Sequence, residues 1–284
     1  MRKYYMGCGG IAQPENLSWF ENRHYIAEQK WDGIWAACII DENGKIEFWS
    51  RNNKNKTEFE DIKPLAEMNL GIKDSILIGE LMAFSQASKS QDHTTFNIFD
   101  IIKIQGKDVS EYNFPVRRYI LEELNIYNDF YKLTEQRVDN FKAFYDEVIS
   151  QGGEGIVIKK WTGKTPYRGL TRNINWYKVK KKVRISYVIT GFNISDADSW
   201  KGEIKSIRAG LYRNGELIEV CNIGSMTSGE RSWFSEHQQE AIGKVIEAEG
   251  YEIFKSGAVR HPHLVGFRDD VEPQDCNFEQ IKRI

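Results

Sequence analysis

Apolar and polar positions in the first part of the chain form short strand-like segments that are separated by hairpin turns. The runs at residues 34–40 and 45–50 flank Asn43-Gly44, a dipeptide suited to the positive φ angles of a tight hairpin. Two further apolar runs, 76–84 and 155–160, predict buried strands. This part of the chain is therefore expected to be rich in antiparallel sheet.

Two segments between these strands change to helical periodicity. Residues 116–127 and 138–150 repeat their apolar positions every three or four residues, which predicts helices packed on the sheets. Gly152-Gly153 follows the second segment and is a suitable C-cap. The expected fold class is α+β.

The pattern changes again after the basic run KVKKKVR, which ends at Arg184. Short alternating strands follow, with a hairpin at Asn214-Gly215 and a helix at about 229–239. We predict two domains, 1–184 and 185–284. Strands with one inserted helix are compatible with a small Greek-key barrel such as an OB-fold, although another small β-barrel would give the same pattern.

Composition narrows the class of protein. With 284 residues, 40% of them apolar, and with 8 Trp, 13 Tyr and 15 Phe, the chain can fill a sizeable core and is not a disordered scaffold. A formal net charge of −2 excludes a uniformly basic nucleic-acid coat and leaves room only for a local basic groove.

The cysteines and the apolar runs point to a reducing, cytoplasmic location. Cys8, Cys38, Cys221 and Cys276 are scattered without a CxxC pair, so free thiols are expected and a zinc site is not. No apolar run reaches the length of a membrane span, and the first residues lack the apolar core of a signal peptide.

One lysine stands out in the segment EQKWDG. Lys30 and Asp32 share a face if the backbone is extended, and Gly33 lets another group approach closely. These residues are candidates for a reactive pocket. Because short motifs match often by chance, a solvated lysine beside a turn is the alternative.

Two carboxylates lie in apolar strands. Glu80 is the charged residue of ILIGELMAF, and Glu154 precedes the apolar run of GEGIVI. An embedded carboxylate costs several kcal/mol unless it is paired or binds a cation, so the two residues suggest a Mg²⁺ site with oxygen ligands. Strand ends in water, or ordinary ion pairs, would also accommodate them.

Basic residues form a second candidate feature. Lys178, Lys180 and Lys182 fall on one strand face, and phosphate is the natural counter-ion for such a row. A solvated linker of lysines is the alternative. In RHPHLVGFRDD, Arg260 and Arg268 could also bind phosphate oxygens.

Aromatic and histidine residues in these segments have ordinary alternatives as well. Phe96 and Phe99 of FNIFD could stack a nucleobase, or could belong to the core. His261 and His263 lack partner ligands and are expected to be polar loop residues.

Taken in order, these segments resemble the motifs of ATP-dependent DNA ligases, members of the covalent nucleotidyltransferase superfamily, over nearly the whole chain. EQKWDG resembles motif I. The resemblance implies that Lys30 is the adenylated lysine, that Glu28 reads the adenine amino group, and that Asp32 and Gly33 belong to the nucleotide site. SRNN resembles motif Ia, which implies that Arg51 contacts ribose or the nick.

The middle of the chain extends the resemblance. IGEL resembles motif III through Glu80, and FNIFD resembles motif IIIa, with Phe99 as the aromatic residue that stacks on the base. EGIVIK resembles motif IV. There the resemblance implies a metal-linked carboxylate at Glu154, with Ile156 or Val157 on the other face of the adenine.

The last motifs supply cations. PYRGLTRNINWYKVK resembles the segment that leads into motif V, whose lysines correspond to Lys178 and Lys180. RHPHLVGFRDD resembles motif VI, carried in this family on an OB-fold domain, with Arg260 and Arg268 orienting the leaving pyrophosphate. An OB domain that serves both ATP and DNA implies rotation between steps.

Two positions depart from the family pattern. Motif I usually ends KxDGxR, but Trp35 replaces the arginine, and motif VI usually ends RxDK, but Val271 replaces the lysine. The first step is therefore expected to be slower or to use another cation. With about 29 residues before Lys30, the chain resembles the compact two-domain viral and bacterial ligases.

The resemblance implies a complete hypothesis. The fold would be an ATP-grasp-like nucleotidyltransferase domain followed by an OB-fold domain. The activity would be sealing of 3′-OH/5′-phosphate nicks in duplex DNA, through lysyl-AMP and an adenylated 5′-phosphate. The cofactors would be ATP and Mg²⁺, with Mn²⁺ as an alternative ion. A monomer in a bacterium or virus-infected cell, acting in DNA repair or replication, is expected.

Three alternatives share many of these features. An RNA ligase and a GTP-using capping enzyme use the same lysine chemistry, and the form of motif VI favours a DNA ligase over both. A nucleic-acid-binding relative without catalysis is a different class of protein, and the departures at Trp35 and Val271 are the reason to keep it open.

Overall fold

The chain divides into two compact units, Met1–Lys180 and Lys181–Ile284. The structure, a computed structural model, describes residues 4–82, 93–162, 171–196 and 201–283. The division falls slightly ahead of the boundary predicted at Arg184, because the last strand of the first unit ends at Lys180.

Short strands and three helices make up the described part of the first unit. Its strands are β1 (Met6–Ile11), β2 (Tyr25–Gln29), β3 (Ile34–Ile40), β4 (Ile46–Ser50), β5 (Ser75–Met82), β6 (Thr95–Ile104), β7 (Lys107–Asp108), β8 (Tyr131–Leu133), β9 (Gln136–Arg137), β10 (Gly155–Lys160) and β11 (Thr171–Lys180). Its helices are α1 (Lys63–Ala66), α2 (Phe114–Glu122) and α3 (Phe141–Ser150), together with a 3-10 helix at Pro14–Trp19.

Two sheets organise these strands. One has the order β1-β11-β10-β2-β9, and the other has the order β4-β3-β5-β6-β7 with β8 paired to β6. The β1–β11 and β6–β8 pairs are parallel and the remaining neighbours are antiparallel. The predicted mixed α+β class with mostly antiparallel sheet is thus confirmed.

The strand predictions match the structure closely in the first unit. The hairpin of β3 and β4 forms at Asn43-Gly44, where Gly44 has a φ of 91°. Asp41 supports the turn by accepting hydrogen bonds from the N–H groups of Asn43 and Lys45. The run predicted at 76–84 is β5, which ends at Met82, and Phe84 lies outside the described residues.

Both predicted helices of this unit are shorter than their periodicity suggested. The helix predicted at 116–127 is α2, which ends at Glu122, although Ile126 beyond it is buried in the same core. Apolar spacing therefore continues past the end of the helix. The helix predicted at 138–150 is α3, which starts at Phe141 because Asn140 has a left-handed φ of 52°.

The predicted C-cap of α3 is present. Gly152 has a φ of 81°, and the N–H groups of Gly152 and Gly153 donate to the carbonyls of Ile149 and Val148. This pair of bonds is a Schellman motif, and it uses the freedom of glycine in the left-handed region. The motif turns the chain directly into Glu154 and β10.

The second unit is built on a five-stranded sheet. Its strands are β12 (Val183–Ile194), β13 (Ile204–Arg213), β14 (Glu216–Ile223), β15 (Val245–Gly250) and β16 (His263–Phe267), in the order β14-β13-β12-β15-β16. Two helices, α4 (Ser228–Glu236) and α5 (Gln238–Ala241), join β14 to β15, and 3-10 helices occupy Pro273–Asp275 and Phe278–Arg283.

Local sequence accounts for the main turns of this unit. Asn214 and Gly215 both have positive φ, 53° and 86°, as the predicted hairpin requires. The helix predicted at 229–239 is split at His237 into α4 and α5. Thr227 and Glu230 form a capping box at the start of α4.

The four cysteine side chains are free thiols, as predicted. Within the described part of the chain, no helix is both long enough and apolar enough to cross a membrane.

Candidate nucleotide pocket

A pocket of about 340 Å³ lies in the first unit, with walls from both of its sheets. Strand alternation explains which side chains line it. Val157 of β10 pairs with Glu28 of β2 and with Lys178 of β11, so these three side chains share one face. Two residues along the same strands, Lys30, Lys159, Trp176 and Lys180 face the same pocket.

The predicted nucleophile lies at the centre of a charge cluster. Lys30 follows β2, and its N–H donates to the carbonyl of Gly155 at 2.8 Å. One oxygen of the Glu154 carboxylate contacts Lys30 Nζ and the other contacts Lys180 Nζ. The Glu154 carboxylate, just before the start of β10, therefore binds two ammonium groups.

Glu80 enters the pocket from the second sheet. Burial raises its pKa to about 8, and the nearby negative charges of Glu154 and Asp32 act in the same direction. Lys30 and the N–H of Gly33 oppose this shift by favouring the charged form. Glu80 is thus protonated in a large fraction of molecules at neutral pH.

Gly33 is required by the close approach of two strands. A Cβ at this position would lie 2.3 Å from the carbonyl oxygen of Leu81 and 3.0 Å from the side chain of Glu80. Asp32, beside it on the exposed loop between β2 and β3, influences Glu80 through its charge. Neither Asp32 nor Gly33 is among the side chains that line the pocket.

Burial and charge also act on the lysine row. The pKa of Lys178 is lowered by burial and then by its neighbours Lys180, Arg172 and Lys30. A row of cations that repel one another favours an anion in the pocket.

Lys182, predicted to extend this row, belongs instead to the second unit, where it pairs with Glu249. The strand ends at Lys180, which breaks the predicted alternation.

A second charge pair lies deeper in the pocket. Glu28 and Lys159 form a salt bridge, and both side chains are 3% exposed. Glu28 also accepts a hydrogen bond of 2.6 Å from Gln136 Nε2. The Lys159 ammonium lies 4.8 Å from the ring centre of Phe99 and 4.5 Å from that of Trp176.

The position usually occupied by the motif I arginine has an aromatic setting. Trp35 pairs with Glu80 across β3 and β5, and Tyr5 packs edge-on against its ring at 5.3 Å. The Arg51 guanidinium lies 5.8 Å from the Tyr5 ring centre. Trp35, Tyr5 and Arg51 all line the pocket, so Arg51 supplies a cation to this wall.

One predicted contact has to be corrected within motif IV. Ile156 is fully buried in the core beneath the first sheet, packed with residues such as Leu17 and Phe141. Val157, its neighbour, lines the pocket. Because successive residues of a strand face opposite ways, Val157 is the one of the two predicted alternatives that faces the pocket.

The two predicted arginines of motif VI belong to the second unit. Arg260 is exposed and contacts Glu252 at 3.4 Å, whereas Arg268 pairs with Asp270 and Glu247 at 2.7 and 2.8 Å. Val271, the second departure from the family pattern, packs against the core of this unit.

Several pocket residues have no place among the sequence predictions. They are Tyr5, Met6, Gly7, Cys8, Gln29, Trp31, Lys159, Arg172 and Trp176. Lys159 and Trp176 could have been found by counting two residues from Val157 and Lys178 along their strands. Cys8 carries no local signal, because it reaches the pocket through the parallel pairing of β1 with β11.

A metal site receives limited support from the side chains. Glu80 and Glu154 offer the oxygen ligands that Mg²⁺ prefers. Glu154 is already paired with two lysines, and within the described residues no three His, Cys, Asp or Glu side chains come together as a metal site. Any ion here would depend on ligands from a bound phosphate.

Comparison with known proteins defines the class to which this pocket is related. The family model described as ATP dependent DNA ligase domain matches residues 84–180. That segment includes β6, β10 and β11, and with them Phe99, Glu154, Lys178 and Lys180.

Individual relatives agree with that class. A DNA ligase of Thermoplasma volcanium is 30% identical over 236 residues, which are 70% of this chain and 39% of that protein. The SPbeta prophage-derived DNA ligase-like protein of Bacillus subtilis is 26% identical over 193 residues, 62% of this chain and 68% of that protein. The predicted resemblance to ATP-dependent DNA ligases is confirmed. The chain spans about 40% of the length of the first curated relatives that it matches.

Solved structures extend the similarity to the fold. A structure of Lig E DNA ligases superposes with a TM-score of 0.59 at 18% identity, covering 92% of this chain and 99% of that one. The ligase domain of M. tuberculosis LigD gives a TM-score of 0.51 at 20% identity, covering 95% and 96%.

Proposed function

We propose that the protein is an ATP-dependent DNA ligase that seals nicks with a 3′-hydroxyl and a 5′-phosphate. The observation that carries this proposal is the convergence of Lys30, Glu154 and Lys180 in one pocket of a chain whose residues 84–180 match a DNA ligase domain. Nicked duplex DNA is the proposed partner, and the protein is proposed to act as a monomer.

In the first step, the Lys30 ammonium loses a proton to water, and the neutral Nζ attacks the α-phosphorus of ATP. A P–N bond forms, the bond to the β-phosphate oxygen breaks, and pyrophosphate leaves. The contact with Glu154 holds Nζ in place for the attack. Lys178 and Lys180 stabilise the negative charge on the transferring phosphoryl group, and their position in the lysine row supports this role.

In the later steps the AMP moves to DNA. An oxygen of the 5′-phosphate attacks the lysyl-AMP phosphorus, and the Lys30 nitrogen leaves. The 3′-hydroxyl then attacks the activated 5′-phosphate, the strand is joined, and AMP departs. Arg51, at the edge of the pocket, is suitably charged to hold the 5′-phosphate.

The metal is part of the same proposal. Glu80 and Glu154 would hold Mg²⁺ together with phosphate oxygens of ATP. Mn²⁺ is proposed as an alternative ion. The ion would withdraw charge from the α-phosphate when bound. A cation beside Glu80 would also favour its ionised form, which offsets the raised pKa of that carboxyl.

We further propose that the second unit is an OB-fold. Its strand order, with α4 inserted between the third and fourth strands, is compatible with a five-stranded Greek-key barrel and supports this proposal. A parallel bridge between Ser225 and His263 joins the end of the third strand to the fifth. This bridge supports closure of the sheet into a barrel.

The direct test is transfer of label from α-³²P-ATP to the protein, after pyrophosphate treatment to remove any bound AMP. Wild type is expected to form a labelled band on a denaturing gel, and Lys30→Ala to form none. Lys160→Ala, a lysine on the opposite face of β10 from Lys159, should label like wild type. Label on Lys30→Ala, or none on AMP-free wild type, would contradict the proposal.

Substrate class is tested with the same protein. Sealing of nicked DNA with ATP is expected, with little sealing of nicked RNA and little use of GTP. Preferential sealing of RNA would favour the RNA ligase alternative, and label transfer from GTP would favour a capping enzyme.

A further inference from the structure

The connection between β2 and β3 carries the proposed nucleophile. Residues 30–33 belong to neither strand, and Asp32 and Gly33 within them are exposed. On one side the connection is fixed by the Lys30 N–H, which donates to the carbonyl of Gly155 in β10 at 2.8 Å. A nucleophile placed in such a connection needs a second anchor, because a displacement of about 1 Å from the reacting geometry can slow a reaction by about a hundredfold.

Trp31 makes a contact that can serve as this anchor. Its indole Nε1–H donates to the hydroxyl oxygen of Thr134 at 3.2 Å, across 103 positions of the chain. The Trp31 side chain is half-buried and lines the same pocket as Lys30. The nucleophile therefore lies between a backbone bond to β10 and a side-chain bond to the segment that joins β8 to β9.

Thr134 is itself held by both of its backbone groups. Its N–H donates to the carbonyl of Ile98 in β6 at 2.8 Å, and its carbonyl accepts from Arg118 Nη1 at 2.8 Å. Arg118 belongs to α2, is 5% exposed, and donates through Nε to Glu122. Thr134 is 2% exposed. Its hydroxyl is therefore an acceptor fixed to β6 and α2, and not a mobile surface group.

We propose that Trp31 is a positioning residue for the adenylation step, and that its bond to Thr134 fixes the backbone from which Lys30 reaches the α-phosphate. This inference rests on the proposed function and deepens it. An indole suits the role because the side chain has only two torsions and its N–H can only donate. Loss of the bond should let the connection move, while the groups proposed to bind ATP stay in place.

Thr134 allows a matched pair of substitutions. Thr134→Val keeps nearly the same shape and removes the hydroxyl, whereas Thr134→Ser keeps the hydroxyl and removes a methyl group. Trp31→Phe keeps an aromatic ring and removes the N–H donor. Each protein is freed of AMP with pyrophosphate, and a single turnover of label transfer from α-³²P-ATP to Lys30 is then followed at several ATP concentrations.

The expected result is a slower reaction with unchanged use of ATP. The rate constant at saturating ATP should fall by at least about tenfold in Thr134→Val and in Trp31→Phe, with half-saturating ATP within about twofold of wild type. Thr134→Ser should react at close to the wild-type rate. In Trp31→Phe/Thr134→Val the two losses should not add, because both substitutions remove the same bond.

Trp19→Phe is the matched control. It removes an indole N–H from a ring of the same unit that is 51% exposed. Trp19 does not line the pocket, so this variant should react like wild type.

The amount of labelled protein separates folding from positioning, because misfolded molecules lower the amount but not the rate constant of the others. A smaller amount at the wild-type rate constant, or equal slowing by Thr134→Ser and Thr134→Val, would mean that Thr134 only packs, and would overturn the inference. A rise in half-saturating ATP alone would mean that Trp31 contacts the nucleotide, and would overturn it as well.

The remaining outcomes concern folding and the proposed function. If Thr134→Val does not fold, the comparison of Trp31→Phe with Trp19→Phe decides the question. Wild type that takes no label would refute the ligase proposal, and the positioning role with it. Wild type that takes label, with Trp31→Phe equally fast, would refute the positioning role alone.

Discussion

At the scale of single residues, burial of Glu80 makes the stability of the folded chain depend on pH. Its carboxyl is moved from water to a site between strands, which raises its pKa from 4.5 to about 8. Between these two values the folded chain holds a proton on Glu80 that the unfolded chain has lost. Stability from this group is therefore complete below about pH 4.5 and is lost as the pH rises towards 8.

Glu80→Gln is expected to remove this dependence. Across pH 5 to 8 the free energy of unfolding of wild type should fall relative to Glu80→Gln, by at most about 1.4 kcal/mol per pH unit. Urea unfolding of both proteins at several pH values measures the difference.

A control carboxylate in the same unit should behave differently. The hydrogen bond from Lys45 lowers the pKa of Glu47 below 4.5, so its contribution is lost only as the pH falls below that range. Glu47→Gln should differ from wild type by a constant amount between pH 5 and 8. A constant difference for Glu80→Gln as well would refute the assignment of a raised pKa.

At this scale the candidate site residues can be predicted from the sequence, but the side chains that they contact cannot. Lys30, Glu154 and Lys180 are each identifiable as candidates from their local segments, which are EQKWDG, the apolar run after Glu154 and the basic run KVKKKVR. The contact of Lys30 with Glu154 joins residues 124 positions apart, which no local pattern reports. The choice between Ile156 and Val157 likewise depends on which face of β10 meets the core.

At the scale of elements, the turn between β2 and β3 is fixed by the space available. Gly33 lies where β3 passes against the end of β5, and a Cβ would meet the carbonyl oxygen of Leu81 at 2.3 Å. Backbone cannot move aside as a flexible side chain can.

Gly33→Ala is therefore expected to destabilise the first unit by roughly 1–3 kcal/mol. Gly229→Ala is the matched control, because Gly229 is exposed in α4 and a Cβ added there would meet no atom within 4 Å. That substitution should stabilise the protein slightly, by up to about 1 kcal/mol, through helix propensity. Thermal unfolding of the three proteins tests both signs, and equal effects of the two substitutions would contradict the packing argument.

Element ends are harder to predict than element types. Of the strands that carry motif residues, β5 and β10 can be found because each is a continuous apolar run. The helices are predicted too long, since apolar residues such as Ile126 remain buried after the helix has ended. Periodicity reports burial, and burial continues through irregular backbone.

At the scale of the whole molecule, the basic residues that were predicted to act in the first step are divided between the two units. Lys30, Lys178 and Lys180 belong to the first unit, whereas Arg260 and Arg268 belong to the second. The net charge of −2 hides this local basic character. The predicted role of the arginines in orienting pyrophosphate therefore assigns part of the first step to the second unit.

Arg260→Ala tests the predicted role of the second unit in the first step. Its guanidinium is exposed and has one weak ion pair, to Glu252 at 3.4 Å, so truncation should leave stability almost unchanged. We expect lysyl-AMP formation to slow by at least about tenfold, because the predicted role of Arg260 is to orient the leaving pyrophosphate through its positive charge. Sealing of a nick that already carries the 5′-AMP group should be unaffected, since that step releases no pyrophosphate.

Lys255→Ala is the control for Arg260→Ala. Lys255 is an exposed cation of the same unit, a few residues earlier in the chain. Lys255→Ala should leave the rates in both assays unchanged. Equal slowing of both assays by Arg260→Ala would show that the arginine acts on DNA binding or on folding, and not on the first step.

The sequence by itself determined strands β3, β4, β5 and β10, the tight turns and the order of the candidate residues, because apolar runs, glycine turns and isolated charges are local properties. Tertiary structure decided which of these residues meet. Sheet pairing brings Glu154 to Lys30 and buries Lys159 against Glu28, 131 positions away. The register of strands distant in the chain fixes these contacts, and the sequence around each residue carries no record of its partner.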